Sequence, residues 1–310
     1  MKIDRMIPGF LADYRQESHR VRNYVSQNTL KAYENNLNDF VVFLSGTGKG
    51  TGINAITDQS LTQFLNSLVE ESKSPSTRNQ IISSLRSFHK WARKKYKIKT
   101  NPFLDIKSAY DQHKEAKFIS DEDRQYILSA VDKKGGIDQL IFRLLFQTGL
   151  RANELVSLNN KDISFEGTGM VIKVLNGKGN KSRELPFVIT NEDGTENKEN
   201  LKLYNILKCH INSNKKKYPE EEALLVSNFK SRLTYQGLNA KFKRWMKKLR
   251  LMDKGYHLHS CRHTCVRQLQ KIGIGIHIIQ SICGHSDPIV TQRIYGSHIT
   301  LDDIAKHNRF

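Results

Sequence analysis

The stretch TGLRANEL, residues 148–155, follows the most apolar helix that the sequence predicts and organises the chain on either side of it. An apolar run over residues 137–146 predicts a buried core helix, and Gly149 ends it. Arg151 and Glu154 then lie one turn apart at the start of the next helix, where the carboxylate can brace the guanidinium. Taken alone, such a pair is more often an ordinary surface ion pair.

Downstream of this segment the pattern changes from helical to extended. Two short β-branched runs, MVIKVL at 170–175 and RELPFV at 183–188, flank the turn-rich NGKGNK and predict a β-hairpin. Helical patterns resume near residue 197, near Thr234 and from about residue 257 onward. This half of the chain is therefore predicted to be α+β with a small antiparallel sheet.

The amino-terminal part is predicted to be helical throughout. Apolar residues recur at three- and four-residue steps in two segments, before Ser74-Pro75 supplies the cap and first-turn proline of a further helix. A polar stretch without periodicity, SAYDQHKEAKF at 108–118, suits a connection between domains. We therefore expect a mainly α chain with a helical domain at residues 1–112 and an α+β domain at residues 117–310.

The charge of the chain indicates an anionic partner. Fifty Lys and Arg against 31 Asp and Glu leave a formal charge of +19, which opposes folding unless something negative is bound. Nucleic acid is the first candidate and an anionic membrane the second. Residues 72–104 carry nine Lys or Arg and no acid, where a merely solvated helix face usually mixes both signs. We expect phosphate contacts from Arg78, Arg86, Lys90, Arg93 and Lys97, and from a second basic cluster at Lys241, Lys243 and Arg244, whose alternative role is to keep its helix soluble.

Other classes of protein fit the sequence poorly. No apolar run approaches the roughly 20 residues that a spanning helix needs, and MKIDRMIPGF has no signal-peptide hydrophobic region, so we expect no membrane partner and a soluble, intracellular protein. Four cysteines are too few for a disulfide framework. The glycine-rich SGTGKGTG lacks the Walker spacing and is interpreted as a loop. Cys261 falls on the face opposite His259, and paired CxxC spacing is absent, so no metal is expected.

Further segments supply candidate reactive groups. Lys178 lies in the glycine-flanked hairpin turn, where it can reach a leaving group or merely contact phosphate or water. His259 and Arg262 are three residues apart, so a helix presents both on one face. His285 and Tyr295 follow on what is predicted to be a final helix. Each has a plain alternative, as a satisfied buried histidine and as a packing tyrosine.

The order of these groups resembles the catalytic domain of the tyrosine recombinases, the phage integrase family. TGLR with Glu154, then GKGNKSR, HxxR, GH and tyrosine span about half the chain, and the helical part before them is similar to the core-binding, SAM-like domain of that family. The resemblance implies a DNA-binding domain at 1–112 and a catalytic domain at 117–310, of the Xer-like simple type without an arm-binding domain. It also implies double-stranded DNA as partner, a homotetramer on paired sites, a cytoplasmic, nucleoid-associated location and no cofactor, and it allows accessory DNA-bending proteins as further partners.

Carried over position by position, the resemblance also implies roles for single residues. Tyr295 is the expected nucleophile, Arg151 and Arg262 the phosphate clamps, Lys178 the general acid, His259 and His285 the remaining catalytic groups, and Glu154 the support of Arg151. Attack on a phosphodiester builds negative charge on its nonbridging oxygens, which two guanidinium forks can bind. A phosphotyrosine stores the ester linkage, so the strand can be resealed without ATP or a metal.

Two other functions stay open at this point. A type IB topoisomerase-like DNA relaxase shares this chemistry but needs no specific site or partner protomers, and a non-catalytic DNA-binding regulator keeps the basic surface alone. Within the recombinases, the sequence leaves open integration, excision or resolution of a mobile element, as well as inversion of a segment. The target DNA sequence is equally open, because base recognition depends on a few side chains in a groove.

Overall fold

The structure, a computed structural model, describes residues 1–20, 25–48, 50–110, 116–167, 169–175, 182–190 and 195–284. The chain divides into two compact units, Met1–Lys114 and Glu115–Phe310. Within the described ranges the fold is mainly α with one small antiparallel sheet, which confirms the fold class predicted from the sequence.

The first unit is built from helices. They are α1 (Ile3–Arg20), α2 (Gln27–Gly46), α3 (Asp58–Glu70) and α4 (Pro75–Tyr96). The Thr57 and Ser74 hydroxyls cap α3 and α4 by accepting a backbone N–H three residues further on, as their sequences indicate. Helix α1 contains Pro8, which disfavours a helix interior, yet its buried residues Ile3, Met6, Ile7 and Phe10 recur at three- and four-residue steps.

Aromatic side chains fill the core of the first unit. Phe10 of α1, Phe40 of α2 and Phe88 of α4 are fully buried, and the rings of Phe10 and Phe88 meet edge to face with centroids 5.5 Å apart. Truncation of a buried ring of this size costs about 3–5 kcal/mol. The unit therefore has a hydrophobic core of its own, which fixes one side of the basic helix α4.

The polar segment after α4 is fastened to that helix. The Asn79 side-chain amide exchanges two hydrogen bonds with the backbone of Ala109, at 2.9 and 2.7 Å. Arg86 donates to the Ile106 carbonyl at 2.8 Å, and its guanidinium lies 6.0 Å from the centroid of the Phe103 ring. The first part of the predicted connection is thus a packed extension of the helical unit.

The second unit is built around one very apolar helix, α6 (Gly136–Gln147). Its helices are α5 (Asp121–Lys134), α6 (Gly136–Gln147), α7 (Ala152–Ser157), α8 (Lys198–Lys217), α9 (Tyr235–Lys248), α10 (Leu258–Lys271) and α11 (Ile276–Cys283). Every residue of α6 from Leu140 to Phe146 is buried, as its sequence predicts. The Ser120 hydroxyl caps α5.

The small sheet has three antiparallel strands in the order β1 (Ile163–Glu166), β2 (Gly169–Val174) and β3 (Arg183–Val188). The hairpin of β2 and β3 is the predicted one, whereas β1 is too short to stand out in the sequence. Gly169 is required at the start of β2, because a Cβ there would lie 2.2 Å from the Phe187 carbonyl oxygen. The turn that contains Lys178 lies outside the described residues.

Candidate active site

The turn between α6 and α7 carries the first site arginine. Gly149 has a φ of +61°, a left-handed conformation that favours glycine, and a Cβ there would come within 3.4 Å of the Cys265 sulfur. Arg151 follows as the N-cap residue of α7. Its backbone N–H and its Nη1 donate to the two oxygens of Glu154, each at 2.8 Å. The predicted bracing of Arg151 by Glu154 is therefore present in the structure.

A second guanidinium binds the same carboxylate. Arg183, at the start of β3, donates from Nη1 and Nη2 to the two oxygens of Glu154 at 3.0 and 2.8 Å, and from Nε to the Ile282 carbonyl at 2.7 Å. Its side chain is 11% exposed and that of Glu154 is 5% exposed. We call Arg151, Glu154 and Arg183 the Glu154 cluster.

Arg183 was not among the candidate residues, although a signal was available. In a strand, alternate residues share one face, so Arg183 lies on the face of the buried Leu185. A charged residue on a buried face requires a partner, because burial of an unpaired charge is costly. The alternation therefore indicates a paired arginine, but the identity of its partner, 29 residues away, comes only from the tertiary structure.

The two guanidiniums keep Glu154 ionised. Burial alone would raise the pKa of this carboxyl, but the hydrogen bonds from Arg183 and from the Arg151 backbone outweigh burial and lower the pKa to about 2. At neutral pH the cluster thus contains one carboxylate and two guanidiniums. It carries a formal charge of +1.

The second predicted clamp, Arg262 of α10, is bound to the same turn. Its Nη1 donates to the Gly149 carbonyl and its Nη2 to the Cys283 carbonyl at 2.7 Å. Arg151 donates from Nη2 to the next carbonyl, that of Gly284, at 3.1 Å. Carbonyls at a helix C-terminus lack intrahelical partners and carry partial negative charge, so the end of α11 suits both arginines. The structure therefore brings the two predicted clamps together.

His259 lies one turn before Arg262 on α10. Although its side chain is exposed, desolvation by the surrounding protein, followed by the positive charges of Arg262, His257 and Arg151, lowers its pKa to about 4. Its ring meets the ring of His263 edge to face with centroids 4.6 Å apart. His259 is therefore neutral near pH 7 and can accept a proton or a hydrogen bond.

Buried thiols line the same region. Cys261, Cys265 and Cys283 are buried, and burial raises the pKa of each, to about 12 for Cys265. They pack as small apolar groups. Among the described residues, no set of three or more His, Cys, Asp or Glu side chains is arranged to hold a metal ion. None of the described helices is long and apolar enough to cross a membrane.

Six catalytic residues were predicted, and half of them lie in the described part of the chain. Arg151, His259 and Arg262 come together around the Gly149 turn, with Glu154 behind Arg151. The other predicted catalytic residues, Lys178, His285 and Tyr295, lie outside the described residues.

The predicted DNA-binding cations have different surroundings. Lys90, Lys97, Lys243 and Arg244 are exposed, Arg78 and Arg93 are half-buried, and Arg86 is exposed but bound to the Ile106 carbonyl. Lys241 is 18% exposed and forms an ion pair with Asp138 at 3.0 Å. Its pairing residue lies 103 positions away, so the sequence pattern alone does not separate Lys241 from its exposed neighbours.

Comparison with known proteins identifies the class to which this fold and site belong. The model of the phage integrase family matches residues 117–300, and the model described as phage integrase, N-terminal SAM-like domain matches residues 12–95. Tyrosine recombinase XerC of Listeria monocytogenes serotype 4b (strain F2365) is 30% identical over 92% of this chain and 91% of its own length.

Solved structures share the fold. The Tn1549 transposon integrase, in complex with transposon right end DNA, superposes with a TM-score of 0.68 at 23% identity, covering 99% of this chain and 98% of that one. A lambda integrase tetramer bound to a Holliday junction gives a TM-score of 0.67 at 17% identity, covering 92% and 76%. The chain belongs to the phage integrase family and is an enzyme of the tyrosine recombinase class, a site-specific DNA recombinase.

Proposed function

We propose that this recombinase cuts and rejoins DNA through a covalent phosphotyrosine at Tyr295. The Tyr295 oxygen attacks the scissile phosphorus and loses its proton, while the bond from phosphorus to the deoxyribose 5′ oxygen breaks. The products are a 3′-phosphotyrosyl linkage and a 5′-hydroxyl that has gained a proton. The same steps in reverse reseal a strand, and the stored ester supplies the bond energy.

The observation that carries this proposal is the meeting of two arginines at one turn. Arg151 and Arg262 donate to the carbonyls of the successive residues Gly284 and Cys283, so their guanidiniums converge on one small region. Two guanidiniums in one place can bind the nonbridging oxygens of a phosphodiester in the geometry that its transition state needs. Each preorganised donor of this kind contributes about 3–4 kcal/mol to the rate.

The protons are assigned to the neighbouring groups. His259 is neutral near pH 7 and can take or share the proton of the attacking tyrosine, whose hydroxyl has an unperturbed pKa of about 10. In this proposal Lys178 gives a proton to the departing 5′ oxygen, and His285 completes the contacts to the phosphate. Both roles rest on the resemblance of their motifs to those of the family.

The burial of Arg262 sets a condition on catalysis. Only 1% of its surface is exposed, so the atoms that cover it must move before a phosphate can reach its guanidinium. Arg151, with a side chain 26% exposed, can be reached from solvent. We therefore propose that the phosphate first contacts Arg151, and that DNA binding opens the access to Arg262.

We also propose that the two units act on DNA as the resemblance implies. Residues 1–112 bind duplex DNA through the basic helix α4, and residues 117–310 hold the catalytic site. Four protomers assemble on paired sites, a state for which the lambda integrase tetramer on a Holliday junction offers a precedent in a protein of the same fold. Integration, excision or resolution of a mobile element inside the cell is the role that the Tn1549 integrase suggests.

A suicide-substrate assay tests the proposal. Nicked duplexes drawn from the DNA that flanks the gene are incubated with the protein in EDTA and resolved under denaturing conditions, for the wild type and Tyr295→Phe. A nick close to the cleavage point lets the short fragment that carries the new 5′-hydroxyl diffuse away. Rejoining is then prevented, and the covalent adduct accumulates. We expect an adduct with the wild type and none with Tyr295→Phe.

The same assay distinguishes the alternatives. An adduct that persists in Tyr295→Phe would assign the nucleophile to another tyrosine. Binding without any adduct would favour a non-catalytic regulator. Relaxation of supercoiled plasmids that lack a preferred site would favour a topoisomerase-like relaxase.

A further inference from the structure

Arg183 connects three elements of the catalytic unit. It starts β3, it binds Glu154 of α7 through two hydrogen bonds, and it binds the carbonyl of Ile282 near the end of α11 at 2.7 Å. The end of α11 is also where Arg151 and Arg262 are anchored. Arg183 thus lies behind the proposed phosphate site, with its own guanidinium occupied by protein groups.

The geometry of the carboxylate makes Arg151 depend on Arg183. The paired bonds from Arg183 reach both oxygens of Glu154 and fix the plane of the carboxylate. One of those oxygens accepts Nη1 of Arg151 at 2.8 Å, and the other accepts the Arg151 backbone N–H at 2.8 Å. The orientation of the carboxylate therefore sets the orientation of the Arg151 guanidinium.

The charge balance gives Arg183 a second effect. A carboxylate paired with Arg151 alone would neutralise its charge, whereas a second guanidinium leaves the cluster at +1. That excess charge favours an anion at Arg151, the more exposed of the two guanidiniums, with 26% of its side chain accessible against 11% for Arg183. Arg183 thereby supplies positive charge without touching the substrate.

We propose that Arg183 is a positioning residue for DNA cleavage, acting on Arg151 through Glu154. The assignment rests on the proposed phosphotyrosine chemistry. A purely structural arginine at this position would affect the stability of the fold, but not the rate of cleavage per folded molecule or the dependence of that rate on pH.

The pH dependence follows from Glu154. In the wild type this carboxyl has a pKa of about 2, so it is ionised throughout the working range. Replacement of Arg183 removes its largest stabilising partner and leaves burial, which raises the pKa. The ionised form is then lost at a higher pH than in the wild type. The fall in cleavage rate on the acid side of the pH profile should therefore begin at a higher pH.

The experiment measures single-turnover adduct formation on a suicide substrate at saturating protein, between about pH 5 and pH 9. The variants are Arg183→Gln, Arg183→Lys, Glu154→Gln and the double variant Arg183→Gln/Glu154→Gln. Lys173→Gln is the matched control, because Lys173 lies on the adjacent strand and pairs with Glu184 at 3.4 Å, with both side chains at least half exposed. Thermal melting confirms that each variant is folded at the assay temperature.

We expect Arg183→Gln to slow adduct formation about 100-fold, the cost of a misplaced catalytic group, with binding of the duplex unchanged within about threefold. Arg183→Lys should recover part of the rate, because it restores the charge without the paired geometry. The upward shift of the acid limb should appear in Arg183→Gln and vanish in the double variant. Lys173→Gln should stay within about twofold of the wild type.

Each contrary outcome is distinct. A wild-type rate and pH profile in Arg183→Gln would overturn the proposal, as would effects of the Arg183 and Glu154 changes that simply multiply in the double variant. If Arg183→Gln does not fold, Arg183→Lys takes its place, and a wild-type rate there would have the same meaning. If the wild type itself forms no adduct, the proposed function fails and the assignment of Arg183 with it.

Discussion

Two ion-pair clusters in the second unit use similar side chains with a different balance of charge. In the first, the Arg143 cluster, Arg143 donates to Asp132 at 2.9 and 2.5 Å and to Glu199 at 2.8 Å, and Lys202 reaches Asp132 at 2.6 Å. Two carboxylates therefore face two cations. The cluster joins α5, α6 and α8, and Arg143 is 2% exposed.

In the Glu154 cluster, one carboxylate serves two guanidiniums. It joins α7, β3 and the end of α11, and it lies beside Arg262, the second arginine predicted to bind the phosphate. A charge-balanced cluster can hold helices together, but its net attraction for an anion is small. A cluster with excess positive charge can do both, so charge balance rather than ion pairing separates a structural cluster from a candidate phosphate site.

Loss of Arg143 should have the largest effect, and on stability alone. Arg143→Ala removes the buried partner of the half-buried Asp132 and leaves that carboxylate beside fewer cations, so the free energy of unfolding should fall by about 3–5 kcal/mol. Lys202→Ala, which removes a half-exposed partner of the same carboxylate, should cost less than about 1 kcal/mol. Urea unfolding measures both. A comparable loss in the two variants would contradict the structural role assigned to Arg143.

Loss of Arg151 should act mainly on chemistry. Arg151→Ala should slow adduct formation by about 10²- to 10³-fold, because it removes a preorganised donor to the developing charge. Arg151→Lys should restore little, since an ammonium lacks the guanidinium fork. Single-turnover cleavage gives the rate, and urea unfolding gives the stability of the same preparations. If Arg151→Ala lost as much stability as Arg143→Ala and kept the wild-type rate of adduct formation, the proposed difference between the two clusters would be contradicted.

Acid should weaken the Glu154 cluster over a defined range of pH. The folded-state pKa of Glu154 is about 2, below its ordinary value of 4.5, so its stabilising contribution is complete above about pH 4.5 and is lost as pH falls through 2. The contribution is at most on the order of 3 kcal/mol. Between about pH 7 and pH 3 the free energy of unfolding should fall more in the wild type than in Glu154→Gln. Equal pH dependence in both proteins would refute this.

The smallest predicted effect is on DNA binding, where loss of the exposed Lys90 should differ from loss of the paired Lys241. Lys90 is exposed and has no ion pair within the described residues, so Lys90→Ala should reduce the slope of log affinity against log salt by about 1. Lys241 is held by Asp138, so Lys241→Ala should change the slope less. Titrations of a labelled duplex at several salt concentrations measure this. An equal change of slope in Lys90→Ala and Lys241→Ala would mean that pairing with Asp138 does not keep Lys241 from the DNA.

Local chemistry made most of the fold predictable. The caps at Thr57, Ser74 and Ser120 follow from hydroxyl side chains before apolar periodicity, and the end of α6 follows from Gly149. Helix α1 was not delimited from the sequence: Pro8 argues against a helix interior, although Ile3, Met6, Ile7 and Phe10 recur at helical spacing and are buried in the core.

The site was predictable only where its residues are close in the sequence or follow a recognised order. Arg151 and Glu154 are three residues apart, so their contact could be expected. Arg183 and Glu154 meet across 29 residues, and Lys241 and Asp138 across 103, so neither pairing is encoded in a local pattern. Long-range pairing of charges is therefore the information that the sequence pattern lacked.

The most direct test of the account is to locate the DNA on the protein. The trapped adduct is digested with nuclease and trypsin, and the tyrosine that carries the residual nucleotide is identified by mass spectrometry. The account predicts the modification on Tyr295, the single tyrosine of the tryptic peptide 294–306. A nucleotide on any other residue, for example on Tyr256, or a wild-type protein that cleaves without a covalent link, would contradict it.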